Sequence, residues 1–413
     1  MVNSNKAPIV ALIPHYANRK DYHMRFVKIT MLLLGIWPIK RNGDLKEKLY
    51  EFYFLVTFSY YLLFITSGLI LAFSTWGDNY VITASTMGIV IEYLSNAYKV
   101  LLFKSKAFKC LLKEIEESEA KIFESKDDKF IKMHLHNAAY SRKIVLFYSI
   151  MGTCGISLYF ISPLVSNALT PMGYNNETGL QKHYFIVSSW FPFDPDRYYL
   201  PAYLIQFLGC LIGYSYIVHC GAFYINILNF IRTRLQILQI VLINLSEYSQ
   251  RYKFNYKLSE EQSYFVLLRE IVQEHHKVIS FVKRLNDIIS FFTLLNFVIS
   301  SFQLSLVAYQ MFKLSVLLQI TVFSYFITLS TQLFLTYQAA HMIMIESTNI
   351  ASSIFVGDWD TYPLGTLRVL QMICMRAQKP LKMTIGPIAE VKITALFQIF
   401  KALYSYICII MKM

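Results

Sequence analysis

Near the end of the chain, Thr394, Gln398, Lys401, Ser405 and Lys412 return at helical spacing within a largely apolar run. At about 100° per residue, Pro387, Val391, Thr394, Gln398, Lys401, Ser405, Ile409 and Lys412 form one narrow stripe. The chemistry open to such a stripe is hydration rather than bond making. Hydroxyls, an amide and ammonium groups on an otherwise apolar helix are costly against lipid, so the stripe must face protein or water. Facing water, it would line an aqueous path. One helix cannot enclose a pore, so several chains must surround an axis, each contributing its last helix. Ile409, near the stripe's centre and its outer end, would then form an apolar constriction that closes by dewetting.

Other chemistries find no footing. The six cysteines (Cys110, Cys154, Cys210, Cys220, Cys374 and Cys408) offer no metal-ligand spacing, and none lies in a segment read as extracellular. A disulfide framework is therefore not expected. His275 and His276 are adjacent, cannot share a helix face, and read as a surface pair. There is no phosphate-binding glycine loop and no nucleophile with a base at telling spacing. Neither an enzyme, a cofactor, a bound metal nor a nucleic-acid partner is expected.

The elements that must carry the stripe are membrane helices. Of 413 residues, 55% are hydrophobic and only 16% charged, against about a quarter charged in soluble chains. Seven apolar stretches are long enough to span: 49–74, 79–103, 143–165, 199–230, 285–312, 315–341 and 386–411. No cleavable signal peptide is expected. Lys and Arg number nine in 1–48, ten in 104–143, nine in 231–284 and four in 342–385. The alternate segments hold only Lys182, Arg197 and Lys313. The positive side is cytoplasmic, which predicts an all-α membrane protein with seven transmembrane helices, a cytoplasmic amino terminus and an extracellular carboxyl terminus. That orientation argues against a G-protein-coupled receptor, and no G protein is expected as a partner. Asn176, in an Asn-Glu-Thr triplet of the 166–198 loop, is a glycosylation acceptor on the outer side.

The chain divides accordingly. Residues 1–48 form a cytoplasmic segment with an interfacial helix at 24–39, ending at Trp37-Pro38. Residues 49–345 hold spans one to six, and helices four to six continue into the cytoplasm; the basic, helix-prone 231–284 stretch suits packing between subunits. Residues 346–385 start with a polar cap and form a cytoplasmic anchor helix, and 386–413 form the pore-lining last helix. The loop 104–142 reads as solvated extensions of spans two and three. "SSWFPFDPDRYYLP" (188–201), dense in Pro and aromatics, suits a compact extracellular lid.

On three motifs the chain resembles insect odorant receptors over essentially its whole length: "LLLGIWP" (32–38), "WFPFD" (190–194) and the tail "RAQKPLKMTIGPIAEVKITALFQIFKALYSYICII" (376–410). Arg376, Gln378, Lys379, Pro380, Gly386, Phe397, Lys401, Tyr404, Ser405 and Tyr406 match that family's tail signature. The resemblance implies an odorant-gated, non-selective cation channel (Na, K, Ca) in the plasma membrane of an olfactory sensory neuron's dendrite. It implies a tetramer, with a shared odorant co-receptor as partner. This chain lacks the co-receptor's larger insertion between spans four and five, so it is similar to the odorant-specific, tuning subunit. The tail alignment puts Ile409 at the gate and Met413 one turn beyond, with Gln398, Ser405 and Lys412 on the pore. The family's pocket, in the outer half of helices two, three, four and six, maps to Thr86, Ile89, Tyr93, Thr153, Ser157, Phe160, Tyr203, Phe207, Leu211, Phe323 and Phe326. That set suits a small apolar volatile. Glu92 stands among them and is expected to pair with a nearby Tyr or Ser. A gustatory-receptor-type channel and a secondary transporter are the alternatives. No internal repeat supports the latter.

Overall fold

The computed structural model describes residues 22–38, 45–78, 80–169, 172–174, 181–313 and 316–412. The predicted glycosylation site Asn176 and the predicted pore residue Met413 lie outside them. Among the described residues the chain is mostly helical. The helices are α1 (Arg25–Leu33), α2 (Leu45–Ser74), α3 (Tyr80–Lys104), α4 (Lys106–Glu124), α5 (Asp128–Leu169), α6 (Tyr199–Ile243), α7 (Leu245–Tyr256), α8 (Glu260–Lys313), α9 (Val316–Val356), α10 (Leu364–Ala377) and α11 (Ile393–Lys412). Two small antiparallel hairpins join them. One pairs β1 (Met172–Tyr174) with β2 (Gln181–Lys182), the other β3 (Thr384–Ile385) with β4 (Ala389–Glu390).

Among the described residues, five helices are long and apolar enough to cross a membrane: α2, α5, α6 and the stretches Glu260–Ala308 of α8 and Leu318–Val356 of α9. Ile393–Cys408 of α11 is a shorter apolar helix. The second predicted span falls in α3, which carries Glu92, Lys99 and Lys104 and is not one of the five. The long helices exceed a bilayer. With 45 residues at about 1.5 Å each, α6 runs for about 68 Å, twice a hydrocarbon core of about 30 Å. Its middle, Cys220 to Ile231, is buried at every position. It is therefore the central post, with α5 and α9 against it and α1 packed across it. Apolar side chains on the outward faces of the spans, among them Leu63, Phe73, Ile150 and Leu208, suit contact with lipid.

Four sequence expectations are corrected in detail. The 346–385 segment does not open with a cap, because α9 continues to Val356. The hydroxyls of Ser347, Thr348 and Ser353 donate to carbonyls three or four residues back, so this polar run stays helical. Glu346 is satisfied from α6 by Arg232 (3.1 Å), Gln236 (2.6 Å) and Gln239 (3.0 Å). The last helix starts at Ile393 rather than 386. Gly386 takes φ +51°, a left-handed conformation that glycine adopts without steric cost, and closes the β3–β4 turn. This hairpin is pinned to α8: Asn286 Oδ1 accepts the Thr384 amide at 2.7 Å, and the Gly386 amide donates to the Ser290 carbonyl at 3.0 Å. The 104–142 loop is not a pair of simple extensions. Ser105 caps a separate α4, its side chain accepting the Phe108 amide, while α5 runs unbroken from Asp128. Lastly, His275 and His276 are not a surface pair. His276 is exposed, but His275 is buried. Burial, and secondarily Arg376 and His276, push the His275 imidazole down to about 4.

Candidate functional site

Two places in this bundle have the make-up of a site. The first lies under the 183–198 loop, where α2, α3, α5 and α6 converge. Phe64, Ile186, Tyr203 and Cys210 form a small buried cluster, with Tyr93, Phe160 and Phe207 packed on it. The Phe160 and Phe207 rings lie 4.4 Å apart, and the Tyr203 hydroxyl donates to the Phe160 carbonyl at 2.5 Å. The backbone of α6 lets the rings in because it has glycine there. A Cβ on Gly213 would lie 2.7 Å from the Tyr93 ring. Beside this cluster is a cavity of ≈20 Å³ lined by Phe64, Thr86, Ile89, Tyr93, Val187 and Ser189, among others. The Thr86 hydroxyl is buried and has no hydrogen-bond partner among the described residues. A volume of this size holds about one water, so the site is closed as it stands.

The loop above is fastened rather than loose. Gln206 of α6 accepts the Ile186 amide (3.0 Å) and donates to the Val187 carbonyl (2.8 Å) and the Ser189 hydroxyl (2.6 Å). The Trp190 amide donates to the Ser67 carbonyl of α2 at 3.2 Å.

The predicted pocket residues separate into groups. Thr86, Ile89 and Tyr93 line the cavity, and Tyr93, Phe160, Tyr203 and Phe207 share the cluster. Thr153 is exposed and bonds the Tyr214 hydroxyl at 2.8 Å, while Ser157 donates back to the Thr153 carbonyl. Phe326 packs against the main core. Leu211 and Phe323 sit on the outer surface of the bundle, and neither lines the cavity. Glu92 is buried, but its partner is neither Tyr nor Ser: Asn96, one turn on, donates to it at 2.9 Å. Sequence reasoning missed Phe64, Gln206 and the loop residues Ile186 and Val187; Ser188 and Ser189 were read as part of a lid but not as lining the cavity. Gln206 had a signal, a lone amide in an otherwise apolar stretch of helix. Ile186 and Val187 had none, because their approach depends on tertiary contact.

The second place is the free face of α11. Ala395, Leu396, Ile399 and Leu403 are buried, and the helix packs on α8 and α9. The opposite side exposes Thr394, Phe397, Gln398, Lys401, Tyr404 and Ser405 along an open groove of ≈850 Å³. The predicted stripe is thus kept from Thr394 to Ser405. Its amino-terminal part is lost, since Pro387 and Val391 precede the helix and Val391 is buried. Ile409 and Lys412 belong to α11, but their side chains lie outside the described ones.

Comparison with known proteins concerns the chain as a whole. Residues 73–404 match the family model described as 7tm odorant receptor. Odorant receptor 10 of Aedes albopictus is 25% identical over 138 residues, which are 33% of this chain and 37% of that receptor. The match therefore spans little more than a third of the relative's length. The olfactory receptor OR5 of Machilis hrabei has the same fold: TM-score 0.75 at 15% identity, covering 94% of this chain and 99% of that one. A structure of OR5 in complex with eugenol superposes with TM-score 0.73 at 14% identity, over 95% of this chain and 99% of that one.

Proposed function

Because this chain belongs to the insect odorant receptor family, we propose that it is an odorant-gated channel subunit. A small apolar volatile binds under the lid, and α11 lines a pathway for Na, K and Ca ions. The chain crosses the membrane seven times, amino terminus inside and carboxyl terminus outside, and assembles as a heterotetramer with the shared co-receptor. The family match over residues 73–404 carries this reading. The free polar face of α11 supports the pore half of it, because a Gln and a Lys without side-chain partners among the described residues are costly against lipid.

The packing of the helices supports one mechanism for it. Ligand occupancy needs far more room than ≈20 Å³, so binding selects a conformation in which the lid and the outer ends of α3, α5 and α6 separate. The displacement reaches α11 through α8 and α9, on which it packs. Ile409 then leaves the axis and the dewetted constriction opens.

Patch-clamp of cells expressing the chain with and without the co-receptor, under a panel of small apolar volatiles, tests this. Rapid cation current requiring both subunits is the expected result. Absence of current with both subunits at the surface, across a broad panel, would remove the channel reading.

A further inference from the structure

We propose that Lys401 is an electrostatic selectivity residue that lowers the passage of Ca relative to Na along the conduction pathway. The inference rests on the reading of α11 as pore-lining and adds to it the ion preference of the pathway.

Lys401 lies mid-helix, about 12 Å from the start of α11, and its side chain is exposed on the groove face with Gln398 and Ser405. Among the described residues no carboxylate pairs with it. Glu390 is the only acidic residue from Gly386 to the end of the chain, and it is already held by Lys382 and by Lys392 (3.2 Å). The face therefore presents one uncompensated positive charge at a level where two neighbours, Gln398 and Ser405, are neutral. An ammonium in this position does not neutralise a passing ion. It raises the local potential.

The consequence for ions is fixed by charge. At a given potential, a divalent ion's Boltzmann factor is the square of a monovalent ion's. Lys401 therefore depresses Ca more than Na, and the Ca-to-Na ratio falls by the same factor as Na occupancy itself. The ring of Lys401 side chains deepens with each copy of this chain in the assembly.

The test uses the full-length chain co-expressed with the co-receptor. Odorant-evoked reversal potentials under Ca and Na give the permeability ratio for wild type, Lys401→Arg, Lys401→Gln and Lys401→Glu. Arg is expected to keep the wild-type ratio, Gln to raise it at least about two-fold, and Glu to raise it further. In parallel, Lys401→Cys is exposed to a charged methanethiosulfonate reagent during activation. Modification that changes the current, with a ratio unmoved in both Gln and Glu variants, overturns the selectivity role while leaving α11 on the water path. No modification of Lys401→Cys in channels that still conduct shows that this face does not meet the pathway, which overturns the pore reading and this proposal together.

Discussion

Gln206 and Val187 are bonded in both directions: the Gln206 amide donates to the Val187 carbonyl at 2.8 Å, and the Val187 amide donates to Gln206 Oε1 at 3.4 Å. A side chain of the central helix thereby mimics a strand edge and clasps the loop over the small cavity. Gln206 is 1% exposed, so these bonds work without competition from water.

Gln206→Leu should free the loop. It leaves two backbone amides and a carbonyl without partners, at about 1–3 kcal/mol for each buried group. The expected readout is faster onset and faster washout of the odorant response, with a raised half-maximal concentration. Unchanged kinetics at normal surface density would show that the loop is not a lid.

Gly213→Ala should remodel the cavity wall from behind. The added methyl would sit 2.7 Å from the Tyr93 ring, and overpacking of this kind costs about 1–3 kcal/mol. Tyr93 must swing toward the cavity, so larger ligands should lose potency more than smaller ones. Tyr93→Leu in the same background should restore part of the loss. A uniform shift across ligand sizes would argue against displacement into the site.

Glu346→Ala should loosen the carboxyl-terminal ends of α6 and α9. Glu346 is 5% exposed, and its carboxylate collects Arg232, Gln236 and Gln239. Its removal strands a partly buried guanidinium, and breaking a buried pair costs about 3–5 kcal/mol. The melting temperature of the detergent-solubilised protein should fall, and Glu346→Gln, which keeps acceptor and shape, should fall less. Equal loss in both would mean that charge, rather than hydrogen bonding, holds the joint.

Acidification should weaken the seating of α1. His23 is buried against Asn226 and against the Glu119–His134 pair, where Glu119 Oε1 accepts both the His23 amide and His134 Nε2 at 2.7 Å. Burial, then the neighbouring charges of His134 and Arg142, push the His23 imidazole down to about 3. The unfolded chain binds a proton near pH 6.5 that the folded one refuses. The stability is thus complete above pH 6.5 and is lost as pH falls toward 3. At pH 5 this is about 2 kcal/mol. Thermal unfolding of wild type should fall steeply from pH 7 to 5, and His23→Gln should flatten the slope. Parallel slopes would assign the pH dependence to other groups.

Much of this protein was legible in the chain itself. Apolar runs of about 20 residues must be helices in lipid, because no water is there to satisfy the backbone. The positions of the long helices and the polar stripe from Thr394 to Ser405, which the structure leaves exposed, followed from that constraint and from the helical period. Both are local properties, written within a single segment.

The rest was decided between segments. That Val391 is buried, and that α11 begins only at Ile393, depends on Asn286 and Ser290 of α8 pinning the hairpin before it. That His275 is inside and His276 outside follows from which face of α8 meets its neighbours. The cavity places Ile89 beside Val187 and leaves Leu211 and Phe323 outside, because depth along a helix is set by sequence but azimuth is set by packing. Period and hydropathy fix what each helix is. Only the contacts among helices fix which way each side chain faces, and the site is made of those directions.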